Sequence, residues 1–176
     1  METIADETPS EPAAVRLRPV RLDDEALYQR LRGSSSMMKE LGGPLPPSQI
    51  SKSLRREVEE TVAGRASVVI VECAQGQEWV PAGNITLVRA HAMNAEIGWM
   101  LLERWQGRGL MKTALRLFLQ SVRETDYGEI HAYPSTSNDA SNALCRSLGF
   151  RSAGTVELEF AGLQFRCNDW AWGTQR

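Results

Sequence analysis

The first half of the chain alternates between strand-like and helix-like patterns of apolar residues. Val15 to Arg18 alternates apolar and basic residues before Pro19, which is typical of an outer strand. Apolar residues at helical spacing predict a helix after Asp23 and another after Ser48, which we expect to cap it. The apolar stripe of this second helix consists of Ile50, Leu54, Val58 and Val62.

The middle of the chain changes to a strand period. The β-branched run from Val68 to Val71 predicts a buried strand over residues 66–73, and two further strands are predicted over 80–89 and 95–102. Gly83 and Asn84 indicate a bulge within the second of these strands. Because only short turns separate the three strands, we expect an antiparallel meander.

The second half adds two helices, a strand and a hairpin. One helical stripe comprises Leu110, Ala114, Leu117, Phe118 and Val122. A strand is predicted over 128–133, a helix over 138–148, and a final hairpin over 151–160 and 164–172. This order of elements predicts an α/β (α+β) domain built on a mostly antiparallel sheet.

Composition narrows the class of protein. A chain of 176 residues, 42% apolar and 24% charged, suits one soluble domain, which we place at residues 14–176. The net charge of -2 favours neither nucleic acid nor anionic membrane as a partner. Residues 1–14 contain four acidic side chains and no basic one, which excludes a secretory signal, so we expect residues 1–13 to be disordered.

Cysteine usage bears on compartment and metal binding. The three cysteines, Cys73, Cys145 and Cys167, are widely spaced and form no CxxC pair. We therefore expect reduced thiols in a cytoplasmic protein and no metal site. No apolar run approaches the ~20 residues that a membrane-spanning helix requires.

The segment from Glu96 to Lys112 carries the clearest chemical signal. A predicted strand leads into a turn with two closely spaced glycines, and the turn opens an amphipathic helix. Such a turn directs several free backbone N–H groups and the positive end of the helix dipole at one point. Arg104, Arg108 and Lys112 add full positive charges. These features suit a diphosphate.

Two other nucleotide-binding patterns fit this segment poorly. The P-loop pattern GxxxxGK[ST] is absent, and Gly107-Arg108-Gly109 lacks the third glycine of the dinucleotide fingerprint. A tight strand-to-helix turn on a solvated basic surface remains the alternative interpretation.

Three segments resemble one protein family in the expected order. Gln106-Gly107-Arg108-Gly109-Leu110 is similar to the Q/R-x-x-G-x-G/A signature of GNAT acetyltransferases, which binds the pyrophosphate of CoA. Residues 138–150 resemble the N-x-x-S-x-x-(aliphatic)-x-x-x-L-G-F segment of that family, and residues 95–99 its central strand. The serine at position 141 is similar to the residue commonly found there in the branch that acetylates ribosomal-protein N-termini. The resemblance implies the GNAT fold, with six to seven strands flanked by about four helices.

The resemblance also implies an activity and a cofactor site. The expected reaction is direct transfer of acetyl from acetyl-CoA to a primary amine on a protein N-terminus or a small molecule. Asn138 is expected to hold the pantetheine arm, and a strand edge is expected to pair with pantetheine. That edge comprises Met100, Leu101 and Leu102, and the diphosphate is expected at Gln106, Gly107, Arg108, Gly109, Leu110, Met111 and Lys112. Met111 departs from the signature, which has glycine or alanine there.

Glu96, Ser141 and Cys145 are the candidate catalytic residues. Glu96 lies two residues before Gly98 on the predicted central strand and is the candidate general base, with a raised pKa if desolvated. Ser141 is the candidate for stabilising the thiolate. The family's usual tyrosine aligns with Cys145, which we take as the fallback acid.

The acceptor site and the assembly are predicted more coarsely. We expect the acceptor site in residues 32–47 and the final hairpin, with an apolar wall of Met37, Met38 and Leu41. Glu157, Glu159 and Asp169 could attract a cation or could simply be solvated. Two other functions stay open: an acetyl-CoA sensor without catalysis, and a protein binding another phosphorylated ligand. The apolar residues of 156–172 favour a homodimer.

Overall fold

The structure is a computed structural model that describes residues 14–91, 94–122, 127–160 and 162–173. The predicted disordered tail over residues 1–13 lies outside these ranges. The strands are β1 (Val15–Pro19), β2 (Ala66–Gln75), β3 (Glu78–His91), β4 (Asn94–Leu101), β5 (Glu129–Ala132), β6 (Arg151–Phe160) and β7 (Leu163–Trp172). The α-helices are α1 (Glu25–Arg32), α2 (Pro47–Val62), α3 (Leu110–Val122) and α4 (Asp139–Ser147). Single 3-10 turns occupy Leu22–Asp24, Lys39–Leu41 and Glu103–Trp105.

The seven strands in the described part of the chain form one sheet in the order β1-β2-β3-β4-β5-β7-β6. Every neighbouring pair is antiparallel except β4 and β5, which run parallel. The predicted mixed α/β class, with a mostly antiparallel sheet and about four helices, is confirmed.

The helices cover both faces of the sheet. Arg18 of β1 reaches Asp24 at the start of α1, so its face of the sheet carries α1 and α2. Residues directly opposite one another share a face, and the register from Arg18 through Ile70 and Asn84 places Met100 there too. By the same alternation, Glu96 and its opposite residue His131 lie on this face. Helices α3 and α4 lie on the other face, because they connect β4 to β5 and β5 to β6, which are parallel strands that follow one another in the same direction across the sheet.

Three details of the helices differ from the prediction. Ser48 does not cap α2: Pro46 is the N-cap, because Pro47 in the first turn needs no N–H partner. Val62 is 85% exposed, since it is the last residue of α2. Leu117 is 43% exposed because it lies outside the arc of α3 that contains Met111 and Phe118.

A bulge in β3 fixes where the neighbouring strand β4 ends. It lies one residue from the position that the sequence predicts. The register between β2 and β3 shifts so that Ala82 is the extra residue, beside Gly83. A Cβ at Gly83 would lie 2.2 Å from the Met100 carbonyl oxygen, so only glycine permits this approach. The Leu102 N–H then donates to the Ala82 carbonyl at 2.8 Å, which fixes where β4 ends.

Candidate active site

A glycine turn connects β4 to α3. The Gln106 Nε2 donates to the Leu101 carbonyl at 2.7 Å and so holds the turn against the end of β4. Gly107 and Gly109 have φ angles of 74° and 73°, which other residues adopt only with strain. A Cβ at either glycine would meet no atom within 4 Å, so the outer side of the turn is open.

The turn presents a row of unused backbone donors. The first helical bond of α3 runs from the Thr113 N–H to the Gly109 carbonyl at 3.1 Å. Across the part of the chain that the structure describes, no amide from Gly107 to Lys112 donates to a protein acceptor. Free amides at a helix N-terminus, together with the helix dipole, form an anion-binding site. This arrangement fits the diphosphate that the sequence predicts here.

The side chains around the turn leave its outer side accessible. Arg104 and Arg108 lie over the Trp105 ring, at 5.2 Å and 5.6 Å from its centroid, and both are exposed. Trp105 itself is buried beneath them. Met111 is also buried, so its side chain packs into the core instead of crowding the turn.

A wedge opens between β4 and β5 beside the turn. Their parallel pairing ends where Glu96 lies opposite His131, yet β4 continues to Leu101. Beyond Ala132 the chain follows β7 instead, as the bond of 3.0 Å from the Asn168 N–H to the Pro134 carbonyl shows. Within the residues that the structure describes, the edge of β4 after Glu96 therefore has no strand partner on the β5 side.

The orientation of the β4 backbone selects which residues face this wedge. The Leu102 N–H points toward β3, and backbone groups of successive strand residues point to opposite edges. The backbone N–H and C=O groups of Met100 therefore also point toward β3, whereas those of Trp99 and Leu101 point into the wedge. Of the three predicted pantetheine contacts, only Leu101 has its backbone on the open edge, and Trp99 joins it.

Helix α4 begins beside the wedge. The Asn138 side chain caps it by accepting the Ser141 N–H at 3.1 Å, and Ser141 is half-buried. Cys145 lies in the core with no exposed surface, and burial raises the pKa of its thiol to about 12. A thiol so placed does not reach a substrate, so we do not retain Cys145 as an acid.

Sequence reasoning missed Asn142, which joins α4 to the end of the sheet. Its buried Nδ2 donates to the carbonyls of Ser135 at 2.9 Å and Asn138 at 2.8 Å. Its Oδ1 accepts from Asn168 Nδ2 and Trp170 Nε1, both at 2.8 Å. The asparagine thereby positions the helix that carries Ser141. Its partners come from distant segments, so no local motif indicates them.

Polar side chains gather on the α1/α2 face at the apex of the wedge. Glu96 is accessible to solvent, and desolvation of its carboxylate raises its pKa. His131 Nδ1 lies 2.6 Å from Asp169 Oδ1, and the imidazole stacks on Tyr133 with ring centroids 5.9 Å apart. Burial, followed by the charges of Asp169 and Glu96, raises the pKa of Tyr133. Tyr133 thus places a neutral hydroxyl beside the candidate base. Sequence reasoning did not identify Tyr133.

The predicted acceptor region is more closed than the sequence indicates. Gly42 packs on Leu163 at the tip of the hairpin, and Ser137 Oγ donates to Glu40 at 2.7 Å. Met38 is buried, so it is not part of an exposed apolar wall, whereas Met37 and Leu41 are half-buried. Asp169 is engaged by His131, and Glu157 and Glu159 lie exposed on β6.

The family assignment follows from a direct match. The family model described as Acetyltransferase (GNAT) domain matches residues 14–151. The chain therefore belongs to the GNAT acetyltransferase family and is an acetyl-CoA-dependent N-acetyltransferase. None of the curated proteins shows significant sequence similarity to the chain.

Solved structures share the fold. The Salmonella typhimurium acetyltransferase that modifies the N-terminal serine of 50S ribosomal subunit protein L7/L12 aligns at 22% identity with a TM-score of 0.75, covering 95% of this chain and 98% of that one. The microcin C7 self-immunity acetyltransferase MccE, in complex with acetyl-CoA and AMP, aligns at 18% identity with a TM-score of 0.76. The alignment covers 90% of this chain and 91% of that one. An aminoglycoside acetyltransferase in complex with coenzyme A aligns at 18% identity with a TM-score of 0.71, covering 90% of this chain and 94% of that one.

The described residues include neither a membrane-spanning helix nor a metal-binding cluster. No helix there is long and apolar enough to cross a bilayer. Nor do three or more His, Cys, Asp or Glu side chains converge there in a way that could hold a metal ion.

Proposed function

We propose that this protein transfers acetyl directly from acetyl-CoA to a primary amine at the apex of the wedge. The row of free amides from Gly107 to Lys112 carries the proposal, because it lies at the open end of the unpaired β4 edge. A diphosphate on these amides would leave the pantetheine arm to run along β4 toward Glu96.

We infer that backbone groups make most of the contacts with the cofactor. The amides from Gly107 to Lys112 hold the diphosphate, with Arg104 and Arg108 adding charge beside the turn. The backbone groups of Trp99 and the N–H of Leu101 pair with pantetheine from one side of the wedge. Asn138, at the start of α4, contacts the arm from the other side. Met100 and Leu102, whose backbones face β3, support the edge without contacting the cofactor.

The chemistry needs a proton acceptor and a group that stabilises the leaving sulfur. Acetyl-CoA supplies the acetyl group as a thioester. Glu96 accepts the proton that the amine loses as its nitrogen forms the new bond to the carbonyl carbon. Ser141 donates a hydrogen bond to the sulfur as the carbon–sulfur bond breaks. Desolvation raises the pKa of Glu96, which makes its carboxylate a stronger proton acceptor than an ordinary glutamate.

A calorimetric titration with acetyl-CoA tests the cofactor site, with CoA and ATP as comparisons. We expect micromolar binding of acetyl-CoA that Gly109→Glu reduces at least tenfold, because it places a carboxylate at the anion site. Gly76→Glu is the matched control: Gly76 also has a positive φ of 62° and open space around it, but it lies in the β2–β3 turn.

Equal loss of affinity in both variants would contradict the proposed cofactor site. Turnover is then measured with acetyl-CoA and a panel of primary amines, including short peptides. Binding of acetyl-CoA without turnover on any amine would contradict catalysis and favour a regulatory acetyl-CoA sensor.

A further inference from the structure

A histidine and an aspartate lie at the apex of the wedge, beside the candidate base. His131 of β5 and Asp169 of β7 share one sheet face, and His131 Nδ1 is 2.6 Å from Asp169 Oδ1. Their side chains are largely buried, with 12% and 15% of their surfaces exposed. A carboxylate at one ring nitrogen fixes the tautomer and the orientation of an imidazole. We call these two residues the His131–Asp169 pair.

The pair leaves one ring nitrogen able to take up a proton. An ionised carboxylate can only accept a hydrogen bond, so we assign the hydrogen of the neutral ring to Nδ1 and the lone pair to Nε2. Nε2 of His131 is buried and has no hydrogen-bond partner among the described residues. Glu129 Oε2 lies 3.3 Å from it, outside hydrogen-bond geometry. Because Glu129 also accepts, only a protonated Nε2 gains a partner there.

An imidazolium at this position would have a carboxylate at each ring nitrogen. Asp169 and Glu129 provide them, and Glu129 is itself paired with Arg151. These carboxylates stabilise the charge of the ring, and partial burial opposes it. The ionisable side chains that share this face around His131 are Glu96 of β4, Glu129 of β5, Tyr133 just after β5, Arg151 of β6, and Cys167 and Asp169 of β7.

The candidate base faces the same ring. Glu96 and His131 lie directly opposite one another across the parallel seam, so their side chains share a face. Adjacent strands are about 4.8 Å apart, which brings the carboxylate and the imidazole within reach of each other directly or through one water. Tyr133 stacks on the imidazole, and the charges of Asp169 and Glu96 both raise its pKa. Glu96 and the His131–Asp169 pair therefore belong to one cluster.

The proposed reaction needs more than one place for protons. An amine that arrives as an ammonium loses one proton before its nitrogen bonds to the carbonyl carbon and a second one afterwards. One of these protons ends on the sulfur of CoA when the carbon–sulfur bond breaks, and the other must leave to solvent. A single carboxylate holds only one proton at a time, so a second acceptor beside it would let the base act twice in one turnover.

We propose that the His131–Asp169 pair takes the first proton from Glu96, so that Glu96 can accept the second. The inference rests on the proposed function, because it takes Glu96 as the base. The proton moves from the Glu96 carboxyl group to His131 Nε2, which restores the carboxylate, and the imidazolium then releases it to solvent. Histidine suits this exchange near neutral pH. His131 acts through Glu96 and is a positioning residue, and Asp169 orients its ring.

The pH dependence of His131→Gln tests this relay, because glutamine cannot take up a proton. We expect kcat/KM to fall about 10- to 10²-fold at pH 7, with acetyl-CoA affinity unchanged. The loss should shrink as the pH approaches the pKa of the acceptor, about 8 for an α-amine and about 10.4 for an alkylamine, since more amine then arrives neutral. A loss of the same size at every pH would overturn the proposal, because a purely structural role predicts it.

Two further variants sharpen the comparison. His91→Gln changes the chain's other histidine, at the end of β3, and should leave the rates unchanged. Asp169→Asn should show the same pH trend as His131→Gln, because an amide can donate to Nδ1 and so move the ring hydrogen to Nε2. Equal effects of His131→Gln and His91→Gln would overturn the proposal, and normal rates in Asp169→Asn would contradict the role of Asp169.

A proton NMR titration tests the relay without turnover. The chain has two histidines, so the signal of His131 is the one that His131→Gln removes. In the wild type this signal should also respond as Glu96 ionises, and Glu96→Gln should abolish that response while Glu78→Gln keeps it. No response would overturn the relay while the acetyltransferase proposal stands. A response in a protein that acetylates no amine would support the Glu96–His131 contact and contradict the proposed function.

Discussion

At the scale of single residues, Glu96 combines solvent access with a raised pKa. An exposed carboxylate on a convex surface titrates near its ordinary value of about 4.3. Glu96 instead lies on the strand face that α1 and α2 flank, where desolvation favours its neutral form. It is therefore reachable by an amine and is more basic than an ordinary glutamate.

Glu96→Gln should lower kcat by about 10²- to 10⁴-fold, because an amide cannot accept the proton. Acetyl-CoA affinity should stay unchanged. In the wild type, kcat should fall as the pH drops through the raised pKa of Glu96, since the base must be ionised. Steady-state rates across pH measure both effects. Glu78→Gln, an exposed residue at the start of β3, is the control. A normal kcat across pH in Glu96→Gln would refute the assignment.

Two hydroxyls compete for the role of stabilising the leaving sulfur. Ser141 lies in the first turns of α4, and Tyr133 follows β5 on the face of Glu96. We expect Ser141→Ala to reduce kcat about 10²-fold at unchanged KM for acetyl-CoA, the typical effect of removing such a donor. Ser147→Ala, on an exposed part of α4, is the control. If Tyr133→Phe shows the large loss and Ser141→Ala does not, the role passes to Tyr133.

At the scale of elements, one buried carboxylate ties β1 to the sheet. Glu72 of β2 pairs with Arg18 Nε at 2.8 Å and Arg16 Nε at 2.5 Å, and Arg18 also pairs with Asp24 at 2.5 Å. Burial alone would raise the pKa of Glu72, but the hydrogen bonds from Arg18 and Arg16 outweigh burial and lower it. The ionised form therefore stabilises the folded state.

Glu72→Gln should reduce the free energy of unfolding by about 2 kcal/mol at pH 7, because Arg16 and Arg18 both lose the Glu72 charge, although Arg18 keeps its pair with Asp24. A lowered pKa contributes stability above the unfolded value of about 4.3, and that stability is lost as the pH falls through the folded pKa. The difference between variant and wild type should therefore shrink in acid, as urea unfolding would show. Glu60→Gln, which breaks an exposed pair screened by solvent, should leave the free energy of unfolding almost unchanged at both pH values. A constant difference between pH 7 and pH 3 would contradict this account.

Local pattern was sufficient to locate the elements. The alternation and β-branched runs that predict strands come from burial on sheet faces, so the predicted strands match β1 to β7 within two residues at most ends. The glycine turn before α3 was also predictable, because backbone positions with a positive φ angle are usually occupied by glycine. Failures came where distant contacts decide the outcome. Met38 is buried and Asn142 is a hydrogen-bonding centre only because other segments fold over them. The orientation of Met100 likewise depends on its register with β3.

At the scale of the whole molecule, the edge hairpin bears on assembly. Phe160 and Leu163 at its tip are 41% and 50% exposed, and β6 is an edge strand. The homodimer stays a prediction, in which these side chains are covered by a second copy. Sedimentation at micromolar concentration should then show a dimer that Phe160→Asp weakens, while Leu22→Asp, at an exposed site next to α1, leaves it intact. A monomer at all concentrations would contradict it.

The sheet consists of two parts that meet along a short parallel seam. β1 to β4 form one part and β5 to β7 the other, and among the described residues strand pairing joins them only from Asn94 to Glu96. The wedge beyond this seam exposes the Trp99 backbone groups and the Leu101 N–H, which would be paired in a continuous sheet, while the Leu101 carbonyl accepts from Gln106 Nε2. A ligand that lies in the wedge replaces the missing strand, so cofactor binding and the stability of the seam should be coupled.

Acetyl-CoA at about a hundredfold above its Kd should stabilise the fold by about 2.7 kcal/mol. For a chain of this size, that corresponds to a rise in Tm of about 5–10 °C. Hydrogen exchange gives the location: the amides of Trp99, Leu101 and the turn from Gly107 to Lys112 should become protected, because they gain acceptors on the ligand. β2 (Ala66–Gln75), which is paired on both edges already, is the internal control. A rise in Tm without protection along β4 would show that acetyl-CoA binds elsewhere, since only a ligand in the wedge supplies acceptors to that edge.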